Sequence, residues 1–317
     1  MKLAFLFPGQ GAQKVGMGRA LADAHEDARA AFETADHVLG FPLSQLCWEG
    51  PLDELTRSVN AQPALLTHSV AALRLARAAG LKPSFVAGHS LGEYSACVAA
   101  GAIDFESALR LTRKRGELMS RAGHERPGTM AAILGMSAEQ VETVCRDAAA
   151  AGVVVPANYN ASGQVVISGE IPAVEKACAL ASERGARRAI RLEVSGAFHS
   201  PLMGSAAREL EAALEAAPLR DAECPIIANV SAEPVARAAE IRASLAAQLL
   251  GAVRWEATMR RLIGEDATFV ELGSGTVLRG LLRSTDKQAR SFNIEDPESL
   301  QATLSGLGVT AGSTEGA

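Results

Sequence analysis

The sequence predicts an α/β protein, with a hydrolase-like large domain built on a mostly parallel sheet and an inserted ferredoxin-like small domain. Two observations support this prediction. Before and after the middle of the chain, short apolar runs alternate with longer segments of helical periodicity. Between residues 127 and 195 the order becomes β-α-β-β-α-β, the order of a ferredoxin-like unit. We therefore expect a large domain over 1–126 and 196–306, a small domain over 127–195 and a disordered tail over 307–317.

The first part of the large domain contains the predicted elements strand 3–7, helical segment 17–39, helix 61–79, strand 85–87 and helix 104–122. A glycine-rich loop, residues 8–13, separates the first strand from the first helical segment. Gly80 suits the C-terminal stop of one helix, and Asp104 suits the N-cap of another.

The remaining elements follow from the same periodicities. The small domain is predicted to contain strand 129–135, helix 137–151, strands 153–159 and 164–169, helix 171–185 and strand 187–194. The large domain then resumes with helices 201–217, 239–250 and 255–263, strand 268–272 and helix 277–284.

Composition excludes several classes of function. The chain has 317 residues, 4% of them aromatic, and a formal net charge of −5, so it lacks the basic and aromatic character of a nucleic-acid binder. Apolar runs are too short for a membrane span or a signal peptide. The five cysteines are odd in number and form no C-x-x-C pair, which is typical of a reducing compartment, so we expect a cytoplasmic protein. No cysteine is expected to ligate a metal.

The segment 88–92, Gly-His-Ser-Leu-Gly, follows an apolar strand and precedes a helix, and this is the sequence of a nucleophile elbow. The elbow holds Ser90 on a tight turn, where flanking glycines avoid steric clashes. The N-terminus of the following helix supplies free N–H groups for a developing oxyanion. The pattern is common by chance, and its position between strand and helix gives it weight.

A serine nucleophile needs a base, and His199 is the best candidate. It lies in a loop of small residues between the last strand of the small domain and a helix beginning at Pro201, so it can reach the site, although a structural role is equally compatible. His25, His37 and His68 are expected to be solvated or at the edge of the core, His89 to shape the elbow beside Ser90, and His124 to be exposed in a polar loop. No carboxylate stands at a strand end to complete a hydrolase triad.

Arg115 stands on the apolar stripe of its helix, between Leu111 and Leu118. A buried arginine needs an anion, because an unpaired buried charge costs several kcal/mol. An internal ion pair or a stem that reaches solvent would satisfy this requirement. A bidentate fork for a substrate carboxylate would satisfy it as well.

Taken in series, these motifs resemble the malonyl-CoA:acyl-carrier-protein transacylases of fatty-acid synthesis and the acyltransferase domains of polyketide synthases. The resemblance extends over about residues 2 to 305. Its motifs are 7–13, 88–94, Arg115, 158–169, 196–200, 248–255 and 271–273. Ala252 and Ser162 depart from it, because the family often has proline at these two positions.

The resemblance implies a role for each matching residue. Ser90 would be the acylated nucleophile, His199 its base, and Gln248 would orient His199 through its main-chain carbonyl. Backbone N–H groups of Gln10 and Leu91 would form the oxyanion hole. The implied substrate-binding residues are Arg115, for the malonyl carboxylate, with Met119, Asn158, Asn160 and Phe198, whose ring would leave no room for a 2-methyl branch.

The resemblance also implies the partners: a coenzyme A thioester and the phosphopantetheine thiol of acyl carrier protein, with no cofactor or metal and a monomeric enzyme. Because carrier proteins are acidic, candidate docking residues are Arg187, Arg188, Arg191, Arg279 and Arg283, although each is also compatible with ordinary solvation. A free-standing polyketide-synthase acyltransferase, a serine thioesterase or hydrolase and a catalytically idle carrier-binding domain are the alternatives.

Overall fold

The computed structural model describes residues 1–309 of the chain. Its strands are β1 Lys2–Phe7, β2 Phe85–Gly88, β3 Thr129–Leu134, β4 Val154–Ala161, β5 Gln164–Gly169, β6 Arg188–Arg191, β7 Ile226–Ile227, β8 Pro234–Val235, β9 Ala267–Leu272 and β10 Ser291–Ile294. Its α-helices are α1 Arg19–Ala24, α2 Glu26–Leu39, α3 Leu43–Glu49, α4 Leu52–Thr56, α5 Ser58–Ala78, α6 Gly92–Ala99, α7 Phe105–Glu125, α8 Ala138–Ala148, α9 Ile171–Glu183, α10 Gly204–Ala216, α11 Ala238–Gln248, α12 Trp255–Gly264, α13 Val277–Thr285 and α14 Pro297–Leu307.

The large sheet has the strand order β10-β9-β1-β2-β7-β8 and is parallel except for the last pair. β1 and β9 are buried along almost their whole length, and such continuously apolar strands are typical of a parallel sheet covered on both faces. The carboxyl ends of β1 and β2 lie side by side, with Phe7 opposite Gly88. The glycine-rich loop after β1 and the elbow after β2 therefore emerge at the same edge of the sheet.

The small sheet is antiparallel, in the order β4-β5-β3-β6. The elements from β3 to β6 occur in the order β-α-β-β-α-β, and α8 and α9 share an apolar core with the sheet. Val253 connects the small sheet to the large domain through two backbone hydrogen bonds with β4. Its N–H donates to the carbonyl of Ala157, and its carbonyl accepts from the N–H of Tyr159. This bridge fixes β4 beside the segment that joins α11 to α12.

The two longest helices, α5 and α7, pack against each other beside the large sheet. α7 is amphipathic, and its buried face includes Leu111, Leu118 and Met119. Asp104 caps its N-terminus by accepting from the Ser107 N–H, 2.8 Å away. Within residues 1–309 no helix is long and apolar enough to cross a membrane.

The mixed α/β class and the mostly parallel sheet are confirmed, and so is each element predicted from periodicity, with ends moved by a few residues. Six short or terminal elements were not predicted: α3, α4, β7, β8, β10 and α14. The predicted tail over 307–317 lies outside the described residues from 310 on, and Leu307 is the last residue of α14.

Two of the histidine predictions are wrong in part. His68 is fully buried, where we expected a solvated or edge position, because α5 is enclosed on nearly every face. Burial lowers the pKa of His68 to about 4. His124 is exposed as expected, but it lies in the last turn of α7 and not in a loop.

Candidate active site

The elbow after β2 holds Ser90 at a φ of 51°, in the left-handed region that side chains other than glycine rarely adopt. A Cβ on Gly88 would lie 1.9 Å from the carbonyl of Gly92, and one on Gly92 would lie 2.1 Å from the carbonyl oxygen of Phe7. Only glycine fits at these two positions. The side chain of Asn229 spans the turn, since its Oδ1 accepts from the Ser90 N–H and its Nδ2 donates to the Gly88 carbonyl, both at 2.7 Å.

His199 is in direct contact with Ser90, because its Nε2 lies 2.8 Å from the serine Oγ. Its Nδ1 faces two carbonyl oxygens, that of Gln248 at 2.9 Å and that of Gly251 at 3.2 Å. Two acceptors require that Nδ1 carries the proton, which leaves the Nε2 lone pair free to accept from the serine hydroxyl. His199 also has a positive φ of 56°, so both residues of the pair have strained backbones.

Burial, followed by the nearby Arg115 charge, lowers the pKa of His199 to about 3. The imidazole is therefore neutral at physiological pH and able to accept a proton. No carboxylate is hydrogen-bonded to His199 among the described residues, and carbonyl oxygens occupy the position of a triad acid. This geometry agrees with the sequence, in which no carboxylate stands at a strand end to complete a hydrolase triad.

Arg115 is 1% exposed and reaches the nucleophile from α7. Its guanidinium donates to Gln62 Oε1 at 2.8 Å, to Gln248 Oε1 at 3.0 Å and to Ser90 Oγ at 3.1 Å. Within residues 1–309 it forms no ion pair, and its Nε has no hydrogen-bond partner. Burial lowers the pKa of Arg115, but an arginine remains charged at neutral pH. The site therefore holds a buried cation whose partners are all neutral.

A cavity of about 290 Å³ opens beside Ser90 and His199. Four of the residues predicted to bind substrate or oxyanion line it: Gln10, Met119, Asn158 and Phe198. Asn160 lies elsewhere, on a second cavity of about 190 Å³, where its Oδ1 accepts from His89 Nε2 at 2.8 Å. His89 thus joins the elbow to β4.

The glycine-rich loop packs directly on the elbow, since a Cβ on Gly9 would lie 2.3 Å from the carbonyl oxygen of His89. This contact brings the backbone of Gln10 to the mouth of the cavity. Neither the Gln10 N–H nor the Leu91 N–H donates a hydrogen bond to any residue that the structure describes. Both donors are free to bind a developing oxyanion.

Three buried polar residues of the site were not singled out from the sequence: Gln62, Glu93 and Asn229. Gln62 donates to Met119 Sδ and accepts from Arg115. A signal existed for Glu93, because it is an acidic residue in a helix that is otherwise apolar or small. For Asn229 the sequence offers none, since it lies in an irregular loop after the two-residue strand β7. Among residues 1–309, no cluster of three or more histidine, cysteine, aspartate or glutamate side chains could hold a metal ion.

An α/β protein with a serine on a nucleophile elbow, a neutral histidine in contact with it and free N–H groups beside it belongs to the class of serine-dependent acyl-transfer enzymes. Residues 4–301 match the acyl transferase domain family, and the chain belongs to that family. It is an acyltransferase.

Individual relatives are similar over nearly the whole chain. The malonyl CoA-acyl carrier protein transacylase of Bacillus subtilis (strain 168) is 47% identical over 308 residues, which are 96% of this chain and 97% of that protein. The solved acyl-carrier-protein-S-malonyltransferase of Bartonella henselae superposes with a TM-score of 0.94 at 43% identity, over 98% of this chain and 100% of that one. A malonyl-transacylase solved in complex with a type II PKS acyl-carrier protein has a TM-score of 0.94 at 39% identity, over 96% of this chain and 100% of that one.

Proposed function

We propose that this protein transfers a malonyl group from malonyl-CoA to the phosphopantetheine thiol of acyl carrier protein, through a malonyl ester of Ser90. One observation carries the choice of acyl group: a buried arginine without a carboxylate partner touches the nucleophile. A malonyl thioester brings that carboxylate. The names of the relatives support the same substrate and carrier.

In the first half-reaction the Ser90 oxygen attacks the thioester carbonyl while His199 Nε2 takes the hydroxyl proton. The backbone N–H groups of Gln10 and Leu91 donate to the oxyanion. Collapse of the tetrahedral intermediate breaks the C–S bond, and the imidazolium returns the proton to the departing CoA thiolate. In the second half-reaction the carrier thiol attacks the ester, with His199 as base, and Ser90 recovers its proton.

Arg115 holds the malonyl carboxylate in this scheme, and Phe198 and Met119 form the apolar wall of the cavity. The Phe198 ring, 6% exposed, restricts space at the carbon between the two carbonyls and so selects malonyl over 2-methylmalonyl groups. Asn158 lies at the mouth of the same cavity, and Asn160 acts through His89. Ser90, His199 and the backbone donors supply every group that the two half-reactions use, and this scheme includes neither cofactor nor metal.

We further propose fatty-acid synthesis as the pathway, because relatives over nearly the whole chain carry the general transacylase name. The neighbour in complex with a type II PKS acyl-carrier protein supports polyketide synthesis as the second candidate. The proposed organisation is a hydrolase-like domain over 1–126 and 196–306 with a ferredoxin-like domain over 127–195, in a cytoplasmic monomer.

Incubation with radiolabelled malonyl-CoA tests the proposal. The wild-type protein should retain label that survives denaturation and passes to added phosphopantetheinylated carrier protein. Ser90→Ala should take up none. Rapid release of free malonate without transfer would indicate a hydrolase, and an absence of any reaction would indicate a carrier-binding domain; either result would overturn the proposal.

A further inference from the structure

Glu93 is a buried carboxylate one residue beyond the elbow glycine, in the first turn of α6, and it is 1% exposed. Its Oε2 accepts a hydrogen bond from Gln248 Nε2 at 2.6 Å. Its Oε1 accepts from the Asn229 N–H and from the Ser244 hydroxyl, each at 3.3 Å. Every residue of α6 is buried, so this carboxylate does not serve solubility. A buried carboxylate is costly, and its retention at this position calls for a role.

Two of the three partners of Glu93 hold the reacting groups. Asn229 spans the strained turn of Ser90 with its side chain. The Gln248 amide nitrogen donates a second hydrogen bond to the Ser90 carbonyl at 2.8 Å, and its oxygen accepts from Arg115. The main-chain carbonyl of Gln248 accepts from His199. Glu93 is therefore hydrogen-bonded directly to Asn229 and Gln248, the two residues that hold the nucleophile, its base and the cation.

Three partners together decide which way the Gln248 amide points: Glu93, the Ser90 carbonyl and Arg115. An ionised carboxylate only accepts hydrogen bonds, so it selects the NH₂ end of the Gln248 amide. The carbonyl end of that amide must then face Arg115, which only donates. With a neutral glutamine at position 93 the charged acceptor is lost, and the Ser90 carbonyl is the remaining strong acceptor that holds the NH₂ group. Glu93 thus strengthens an orientation of the Gln248 amide that the Ser90 carbonyl and Arg115 also favour.

We propose that Glu93 is a positioning residue, which holds the Gln248 amide in place and thereby aims Arg115 at the acyl carboxylate. The inference rests on the proposed malonyl transfer. When it is ionised, the Glu93 carboxylate also attracts the nearby Arg115 guanidinium.

Glu93→Gln tests the role, because glutamine keeps the volume of the side chain and removes its charge. We expect kcat/KM for Ser90 malonylation to fall about 10- to 100-fold, mainly through a higher KM for malonyl-CoA, since a small misplacement of a binding group has an effect of this size. Glu271→Gln is the matched control. Glu271 is equally buried and accepts from the Leu278 and Arg279 N–H groups, away from Ser90. It should alter thermal stability and leave the malonylation kinetics unchanged. Equal kinetics in the two variants would overturn the proposal.

A double variant separates positioning from a general structural role. If Glu93 acts through Gln248, Glu93→Gln should slow malonylation little further once Gln248→Ala is present. Multiplying effects would contradict the proposal. Labelling of Ser90 by a fluorophosphonate, which carries no carboxylate, should slow less than malonylation in Glu93→Gln. If the wild-type protein takes the fluorophosphonate but no malonyl group, the proposed function fails. Glu93 would then still be supported if labelling slowed in its variant and not in Glu271→Gln.

Discussion

Arg115 and Ser90 are joined directly: the arginine Nη2 lies 3.1 Å from the serine Oγ. In a malonyl group a single CH₂ separates the carboxylate from the reacting carbonyl. A cation that binds this carboxylate must therefore lie within a few ångströms of the nucleophile, and the guanidinium does. After burial, the same proximity contributes to the low pKa of His199, so in the proposed mechanism one charge would bind the substrate carboxylate and help to keep the base neutral.

Arg115→Ala should lose malonyl transfer and keep or gain acetyl transfer, since acetyl-CoA has no carboxylate to pair. The loss in kcat/KM for malonyl-CoA should be at least about 100-fold, the size expected when a buried charged hydrogen bond is removed. Rates of Ser90 acylation with the two thioesters measure it. Lys114→Ala, the same charge change at an exposed position of α7, is the control and should alter neither rate. Unchanged malonyl kinetics in Arg115→Ala would refute this role.

The pH dependence of acylation should report Glu93 and not His199. Burial raises the pKa of Glu93 to about 7, whereas the pKa of His199 is lowered to about 3. As pH rises through about 7, Glu93 loses its proton, its carboxylate becomes acceptor-only, and the malonylation rate should increase to a plateau. The other titratable groups around it are Arg115, which stays charged, and Tyr94 and Cys97, whose pKa values burial raises.

A pH series on Glu93→Gln identifies the group. The step near pH 7 should disappear, leaving a low rate that is nearly constant from about pH 6 to pH 8. Stopped-flow acylation at constant ionic strength, with Glu271→Gln as the control, gives both profiles. A step near pH 7 that survives in Glu93→Gln would assign it to His199.

The sequence was informative where chemistry depends on residues that are adjacent in the chain. The elbow, its glycines and the helix after it are local, and so was the position of Arg115 on an apolar stripe. His199 could be selected only by eliminating the other histidines, because its contact with Ser90 spans 109 positions. The partners of His199 Nδ1 are main-chain carbonyls, which every residue possesses, so no residue type marks them.

The short elements escaped prediction for a similar physical reason. β7 and β8 have two residues each, too few for a period, and they are fixed by pairing, β7 with β2 and β8 with β7. Asn229, which follows β7, reaches Ser90 across 139 positions. Its role follows from the fold and not from local sequence.

The space around two glycines, one in the elbow and one in α13, predicts opposite effects of an alanine substitution on stability. Gly88→Ala places a Cβ 1.9 Å from the Gly92 backbone, which cannot move without disrupting the turn, so the free energy of unfolding should fall by about 3 kcal/mol or more. Gly280→Ala, in α13 with nothing within 4 Å of the added Cβ, should raise it by about 0.5–1 kcal/mol. Urea denaturation of both variants measures the difference. Similar midpoints would contradict the close approach at Gly88.

The structure reduces the set of arginines that could dock an acidic carrier protein. Arg279 donates to the Asn293 side chain and to the Ser291 carbonyl, so its guanidinium is occupied in linking α13 to β10. Arg191 forms an ion pair with Glu175, with 3.7 Å between Nη1 and Oε1, so its charge is partly neutralised. Arg187, Arg188 and Arg283 are exposed, and within residues 1–309 none of them forms an ion pair. Arg188 lies on β6, an edge strand of the small sheet, where an acidic partner can approach.

Arg188→Glu should therefore raise the KM for acyl carrier protein about 3- to 10-fold, because a reversed charge at the rim of an interface weakens association with an acidic partner. The effect should shrink as salt is added, since exposed charges are screened. Acylation by malonyl-CoA alone should not change, which separates docking from chemistry. Arg208→Glu makes the same charge change on α10 and should leave the KM for the carrier unaltered. Steady-state transfer at several salt concentrations measures both variants, and equal KM values for the two would exclude the small sheet's edge as the docking surface.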